Sequence, residues 1–226
     1  MRPFLVLVPT ELERAILAPL LATADGAARI DRIELCGFGA VVAAARTAQL
    51  LTARPPARVV LVGIAGRLDQ RLAIATAHRF AEVACHGIGA GCGPHFVPAG
   101  SLGWPHWPGD AAPDDPARAG STPIGDVIPC AAGSRAVPAA GQLLSVCAAA
   151  AGPDDVAVRR RMFPSALAED MEGFAVAAAC RLCGVPVDIV RGISNTAGDR
   201  DHAGWQVAAA LRSAADLTAS LLADHP

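Results

Sequence analysis

Residues 187–201 read VDIVRGISNTAGDRD. The run begins just past a helix stop, Gly184 with Pro186 beyond it; glycine ends helices readily and proline cannot continue them. Val187 to Ile193 is then a short apolar strand, and Ser194 and Asn195 open it into a polar loop before a closing helix over 204–222. A buried strand that passes through a polar loop into a helix is the unit of an α/β fold. The same unit recurs upstream, where Phe4 to Val8, Ile30 to Cys36 and Val59 to Val62 read as strands with helices over 11–24 and 40–53. Leu72 to Thr76 reads as a further short strand, Leu143 to Ala150 as strand or helix, and 154–162 and 172–183 as helices. Short apolar strands alternating with helices imply a largely parallel sheet covered on both faces.

The 226 residues make one domain, 1–226, with no internal repeat or linker. Hydrophobic residues make up 53% and charged residues 18%, a balance that excludes disorder. A net charge of −2 supplies no basic field, so no nucleic acid is expected as a partner. The uncharged stretches 83–109 and 136–153 are interrupted by proline and glycine, so neither reads as a membrane span. The apolar run after Arg2-Pro3 is too short for a signal peptide. Seven cysteines, an odd number, read as buried thiols in a reducing, cytoplasmic compartment. The pair Cys180 and Cys183 lies late in a helix rather than at its start, where a redox thiol would be activated. Cys85, His86, Cys92 and His95 match no standard zinc spacing, so neither metal nor cofactor is expected.

In α/β sheets the chemistry sits beyond the carboxyl ends of the strands. Gly37-Phe38-Gly39 follows a strand and opens a helix, but Val42 stands where a dinucleotide fingerprint needs its third glycine. A tight strand-to-helix turn explains it. Gly63-Ile64-Ala65-Gly66 reads as a second small-residue turn that lets a ligand approach the backbone. Residues 168–174, AEDMEGF, place Glu172 at a strand-to-helix junction. Arg191 is the outstanding residue: a charge inside an apolar strand costs several kcal/mol unless it is paired. The long glycine- and proline-rich stretch 87–120 reads as a functional or mobile loop.

These segments together resemble the nucleoside phosphorylase and nucleosidase superfamily, and within it the futalosine-hydrolysing branch. The resemblance runs nearly end to end: PTELE ending at Glu13, CGFGAVVAAA from Cys36, VGIAG from Val62, FPSALAEDMEGFAVAAA from Phe163, and RGISNTAGDRD followed by Trp205. It implies a three-layer α/β/α sandwich around a mixed, partly barrel-like sheet. It also implies a homo-oligomer, dimer or larger, acting on a small-molecule nucleoside that feeds menaquinone biosynthesis. The roles implied are Glu13 as the base that deprotonates water, Glu172 on the ribose hydroxyls, and Met171 against the sugar. Arg191 would orient Glu13 or the water, while the backbone of Ala65 and Gly66, with Ser194, would line the pocket.

Adenine-specific members carry Asp where this chain has Asn195. Hypoxanthine presents an acceptor, O6, at position 6, and an amide can donate to O6 or N7. Asn195 therefore implies a 6-oxopurine nucleoside. The change leaves the general acid open: Asp199 or Asp201 would act through water, or Asn195 would only stabilise the departing base. The segment SVCAAAAG, 145–152, lacks the aromatic that stacks on the purine in many relatives. Phe96, Trp104, Phe174 or a loop of a second subunit would replace it, and the 87–107 loop would cover the benzoate-like end of the substrate. Two alternatives stand beside this reading. A phosphorylase or methylthioadenosine-type nucleosidase is one, although Arg67 and Arg191 are few cations for phosphate; a non-catalytic nucleoside-binding relative is the other.

Overall fold

In a computed structural model, residues 3–110, 122–130 and 137–224 are described. The chain runs β1 (Phe4–Val8), α1 (Glu11–Ala22), β2 (Ile30–Leu35), α2 (Ala40–Ala53), β3 (Arg58–Arg67) and β4 (Ala77–His86). Then come β5 (Gly89–Ala90), β6 (Val97–Pro98), β7 (Val127–Pro129), β8 (Ala139–Val146) and α3 (Pro153–Met162). It closes with β9 (Ala166–Asp170), α4 (Gly173–Leu182), β10 (Val187–Thr196) and α5 (Val207–Asp224).

The layers follow from the strands' alternation. Leu5 and Leu7 of β1 and Val59 and Leu61 of β3 point to one face, where they meet α2 and α4. Phe4, Val6, Val8, Val60 and Val62 point to the other, against α1 and α5. Each such side chain contributes roughly 1.5–3 kcal/mol on burial, which explains why these strands read as continuous apolar runs. The result is an α/β/α sandwich with a core on each face of the sheet, and a third, smaller apolar cluster gathers around Leu68, Leu144, Val146 and Ala150.

The sheet is mixed rather than largely parallel. β1 pairs in parallel with β2 and β3, β10 with β3, and β8 with β4 and β9. β10 with β4, β3 with β9, and β4 with β7 are antiparallel. Hydrogen bonds run as a ring through β3, β10, β4, β8 and β9, with β1 and β2 extending from β3.

Three local readings are corrected. Leu72 to Thr76 is a turn, and the strand begins after it at Ala77. β4 carries no continuous apolar run, because His78, Arg79 and Glu82 interrupt its pattern; Arg79 is fully buried and donates to Asp188 at 2.8 Å. Gly63 to Gly66 is no turn but the second half of β3, paired with β10 through Thr196. In the 87–120 stretch β5 and β6 form a small hairpin-like pair, and residues 111–120 lie outside the described residues. The apolar segment near Leu143 is a strand, β8.

Candidate active site

A cavity of about 520 Å³ opens beyond the ends of β1, β3, β9 and β10. Glu13, Ala65, Gly66, Met171, Glu172, Ser194 and Asn195 all line it. Arg191, Asp199 and Asp201 are not among its lining residues.

Glu13 reaches the cavity because of a local motif. Thr10 is the N-cap of α1 and Glu13 its third residue, so the two form a capping box. Oε2 of Glu13 accepts from Thr10 N at 3.1 Å and from Thr10 Oγ1 at 2.6 Å. Oε1 accepts from the backbone N of Ile64 at 2.9 Å. The carboxylate is thus buried and held from two elements. The signal was present as T-x-x-E in PTELE, and it states the local geometry without revealing that the group is buried.

Gly63 makes the next contact possible. A Cβ there would collide with Nη1 of Arg191 and lie 2.7 Å from Oε1 of Glu13. The missing side chain brings the guanidinium and the carboxylate over the same stretch of β3.

Glu172 sits at the N-cap of α4 and ties two distant segments together. Its Oε1 accepts from Gly39 N at 2.9 Å, and its Oε2 from Arg191 Nη2 at 3.4 Å. Gly37 and Gly39 have φ values of +92° and +79°, so the glycine pair is a turn that aims the N-cap amide ahead of α2 at Glu172. Burial pushes the Glu172 carboxyl up to about 7; Arg191 and the Gly39 amide oppose that rise, and the Asp170 and Glu13 carboxylates add to it.

Arg191 is fully buried and finds its main partner in a residue that sequence reasoning passed over. It donates to Oδ2 of Asp170 through Nε at 3.0 Å and Nη2 at 2.6 Å. Asp170 also accepts from Ser145 Oγ at 2.5 Å and Gly173 N at 2.9 Å. The charge therefore pairs with Asp170 and Glu172 rather than directly with Glu13. Its Nη1 is buried without a hydrogen-bond partner among the described residues.

The register of β10 against β3 shifts between Ile193 and Asn195. Such an irregularity re-aims side chains, and here it falls where β10 meets the cavity. Asn195 Oδ1 accepts from Ser194 Oγ at 2.8 Å, and Nδ2 donates to the Thr196 carbonyl at 2.9 Å. One amide hydrogen is left for a ligand. Asp199 and Asp201 are exposed and engaged elsewhere: Asp199 accepts from Asp201 N at 2.9 Å, and Asp201 from Ala203 N at 3.2 Å.

Ala149 and Ala150 line the cavity as small residues. Their segment is shaped by Glu169, which accepts from Ala150 N at 2.9 Å and pairs with Arg159. Phe96, Trp104 and Phe174 are absent from the lining, as is the 87–107 loop. Phe96 stands against His86, Phe174 against His106, and Trp104 is exposed. The aromatic rings that line the cavity are those of Phe38, His202 and Trp205.

Three buried glutamates, a buried aspartate and a carboxamide thus surround one cavity at the strand ends of this sheet. Residues 32–224 match the phosphorylase superfamily, and the chain belongs to that family. A futalosine hydrolase of Streptomyces coelicolor is 32% identical over 190 residues, which cover 82% of this chain and 75% of that protein. Among solved structures, the 5'-methylthioadenosine/S-adenosylhomocysteine nucleosidase of Neisseria meningitidis superposes with a TM-score of 0.76 at 18% identity, covering 100% of both chains. The futalosine hydrolase of Helicobacter pylori superposes with a TM-score of 0.73 at 17% identity, covering 97% of both chains. Among the described residues no helix is long and apolar enough to cross a membrane.

Proposed function

We propose that this chain is a purine nucleosidase that hydrolyses the N-glycosidic bond of futalosine, releasing hypoxanthine and dehypoxanthine futalosine for menaquinone biosynthesis. The observation that carries this is the convergence of Glu13, Glu172 and Asn195 on one cavity, in a chain similar over most of its length to a futalosine hydrolase. Seven free cysteines are in keeping with a cytoplasmic location.

The bond from C1′ to the purine nitrogen breaks with its electron pair leaving on the base, and the sugar becomes oxocarbenium-like. Water adds to C1′ and passes a proton to Glu13. Arg191, outside the cavity lining, acts through Glu13: its Nη1 lies near Oε1 over Gly63, where its charge steadies the carboxylate that receives the proton. Glu172 accepts from the ribose hydroxyls, and its charge stabilises the cation beneath the ring. Met171, Ala65, Gly66 and Ser194 shape the sugar pocket. Asn195 donates its remaining amide hydrogen to O6 or N7 of the departing base. Asp199 and Asp201, engaged in the turn, leave the anionic base to Asn195 and to solvent protons.

Phosphorolysis fits less well. Arg67 is held by Thr196 Oγ1 and the Leu72 carbonyl, and Arg191 by Asp170, while four carboxylates line the cavity. The direct test is release of the purine base, hypoxanthine from futalosine and inosine and adenine from aminofutalosine and methylthioadenosine, with and without phosphate. Dehypoxanthine futalosine formed irrespective of phosphate supports the reading; its 1-phosphate ester, or preference for methylthioadenosine, overturns it. Binding of futalosine without turnover would point instead to a non-catalytic relative.

Two further outcomes are expected. Asn195→Asp shifts preference toward 6-aminopurine nucleosides by roughly five- to 150-fold, the equivalent of one mismatched buried hydrogen bond. An unchanged ratio of inosine to adenosine cleavage removes Asn195 from base recognition. Below pH 7, kcat/KM falls about tenfold per unit as Glu172, whose carboxyl titrates near 7, takes up a proton and stops accepting from the ribose. Glu172→Gln abolishes that acid limb; a wild-type profile flat from pH 5 to 8 contradicts the assignment. Leu12 and Phe38, which line the cavity, and Val41 and Val42 of α2 are exposed, apolar surface in keeping with the homo-oligomer that the resemblance implies.

A further inference from the structure

The charged side chains lining the cavity are Glu13, Glu169, Asp170, Glu172 and Arg200, with His202 beside them. A neutral nucleoside would need no cation there, and an anionic one would be repelled unless a positive charge stood in the same space. Arg200 is that charge. Among the described residues it makes no ion pair with a carboxylate; its guanidinium lies 5.5 Å from the centroid of the Trp205 ring. The imidazole of His202 packs on the same indole, with centroids 4.4 Å apart. Trp205 is half-buried, whereas Arg200 and His202 are exposed.

A guanidinium held on an aromatic face keeps its planar fork of donors free for a carboxylate, which it can grip with two hydrogen bonds. The indole offers apolar surface to an aryl ring. These are the two chemistries of an aryl carboxylate. From this juxtaposition of Arg200, His202 and Trp205 at a cavity whose other charged residues are all acids, we propose that they form the subsite for the carboxylate-bearing aromatic end of the substrate. The inference rests on the reading of the chain as a futalosine hydrolase, because futalosine carries a benzoate group at the end of the molecule away from the purine. It also replaces the 87–107 loop, which does not line the cavity, as the cover for that group.

The test compares kcat/KM for futalosine and for its carboxyl methyl ester, which is neutral. Wild-type protein is expected to favour the acid roughly tenfold, as befits a charge-assisted hydrogen bond at a partly solvated site. Raising salt to about 0.5 M erodes that preference, because an exposed guanidinium is screened. Arg200→Gln brings the acid-to-ester ratio close to one, and Arg200→Lys, a point charge without the fork, leaves it between. A wild-type ratio near one, a salt-independent ratio, or a ratio retained in Arg200→Gln overturns the proposal. The wild-type salt series needs no variant and decides the matter even if the substitutions fail to fold. Cleavage of both compounds at equal efficiency sinks the carboxylate subsite alone, whereas cleavage of neither sinks the futalosine reading and this inference with it.

Discussion

Replacing Glu13 with glutamine lowers turnover by about 10² to 10⁴-fold, the usual contribution of a positioned general base. Substrate affinity changes by less than about threefold, because the interaction lost is one made in the transition state. Geometry makes the test clean. Oε2 receives both Thr10 donors and Oε1 the Ile64 amide, so a glutamine stays in nearly the same place. It sacrifices one hydrogen bond, about 1 kcal/mol of stability, and cannot take a proton from water. Single-turnover hypoxanthine release, set beside calorimetric binding of a non-hydrolysable futalosine analogue, separates the two effects. Turnover within about fivefold of wild type would remove Glu13 from the chemistry and leave it as the third residue of a capping box.

Arg191→Met is expected to be the most destabilising single change at the site. It strands Asp170, which is 5% exposed, together with the buried Glu172. Breaking a buried pair by removing one partner costs about 3–5 kcal/mol, which for a chain of this length lowers Tm by roughly 6–20 °C. The double variant Arg191→Met with Asp170→Asn should recover much of that loss, since the neutral amide no longer demands a cation. Thermal denaturation monitored by circular dichroism reads both effects. A melting temperature for Arg191→Met within about 2 °C of wild type would mean that the arginine contributes little to holding these carboxylates.

The site was partly legible in the chain. The strand ends after Val8, Ile193 and the AEDMEGF block pointed to Glu13, Glu172 and Asn195, and all three line the cavity. Arg191 advertised itself as a charge in an apolar strand, but not its partner. Asp170 stood two residues from Glu172 and drew no notice, because an acid beside another acid reads as an ordinary polar stretch until the arginine is seen against it. Arg200 and His202 were equally silent. Their loop is polar, and only its fold back onto the cavity, with Gln206 N bonded to the Ser194 carbonyl at 2.8 Å, brings their side chains to that wall. Phe96, Trp104 and Phe174 fall away from the cavity for the same reason: their segments pack elsewhere.

Strand and helix identity is local physics. Apolar runs such as FLVLV, the capping box and the glycine stop at Gly184 act over a few residues, and reading them in order yields the alternation of layers and the strand ends where chemistry would sit. Pairing is not local. The antiparallel insertion of β9 beside β3, the hydrogen bond from Gly39 to Glu172 across 133 residues, and the Arg191–Asp170 pair depend on which strands become neighbours. That choice minimises unpaired buried charge and exposed sheet edge over the whole molecule, and no window of the sequence contains it.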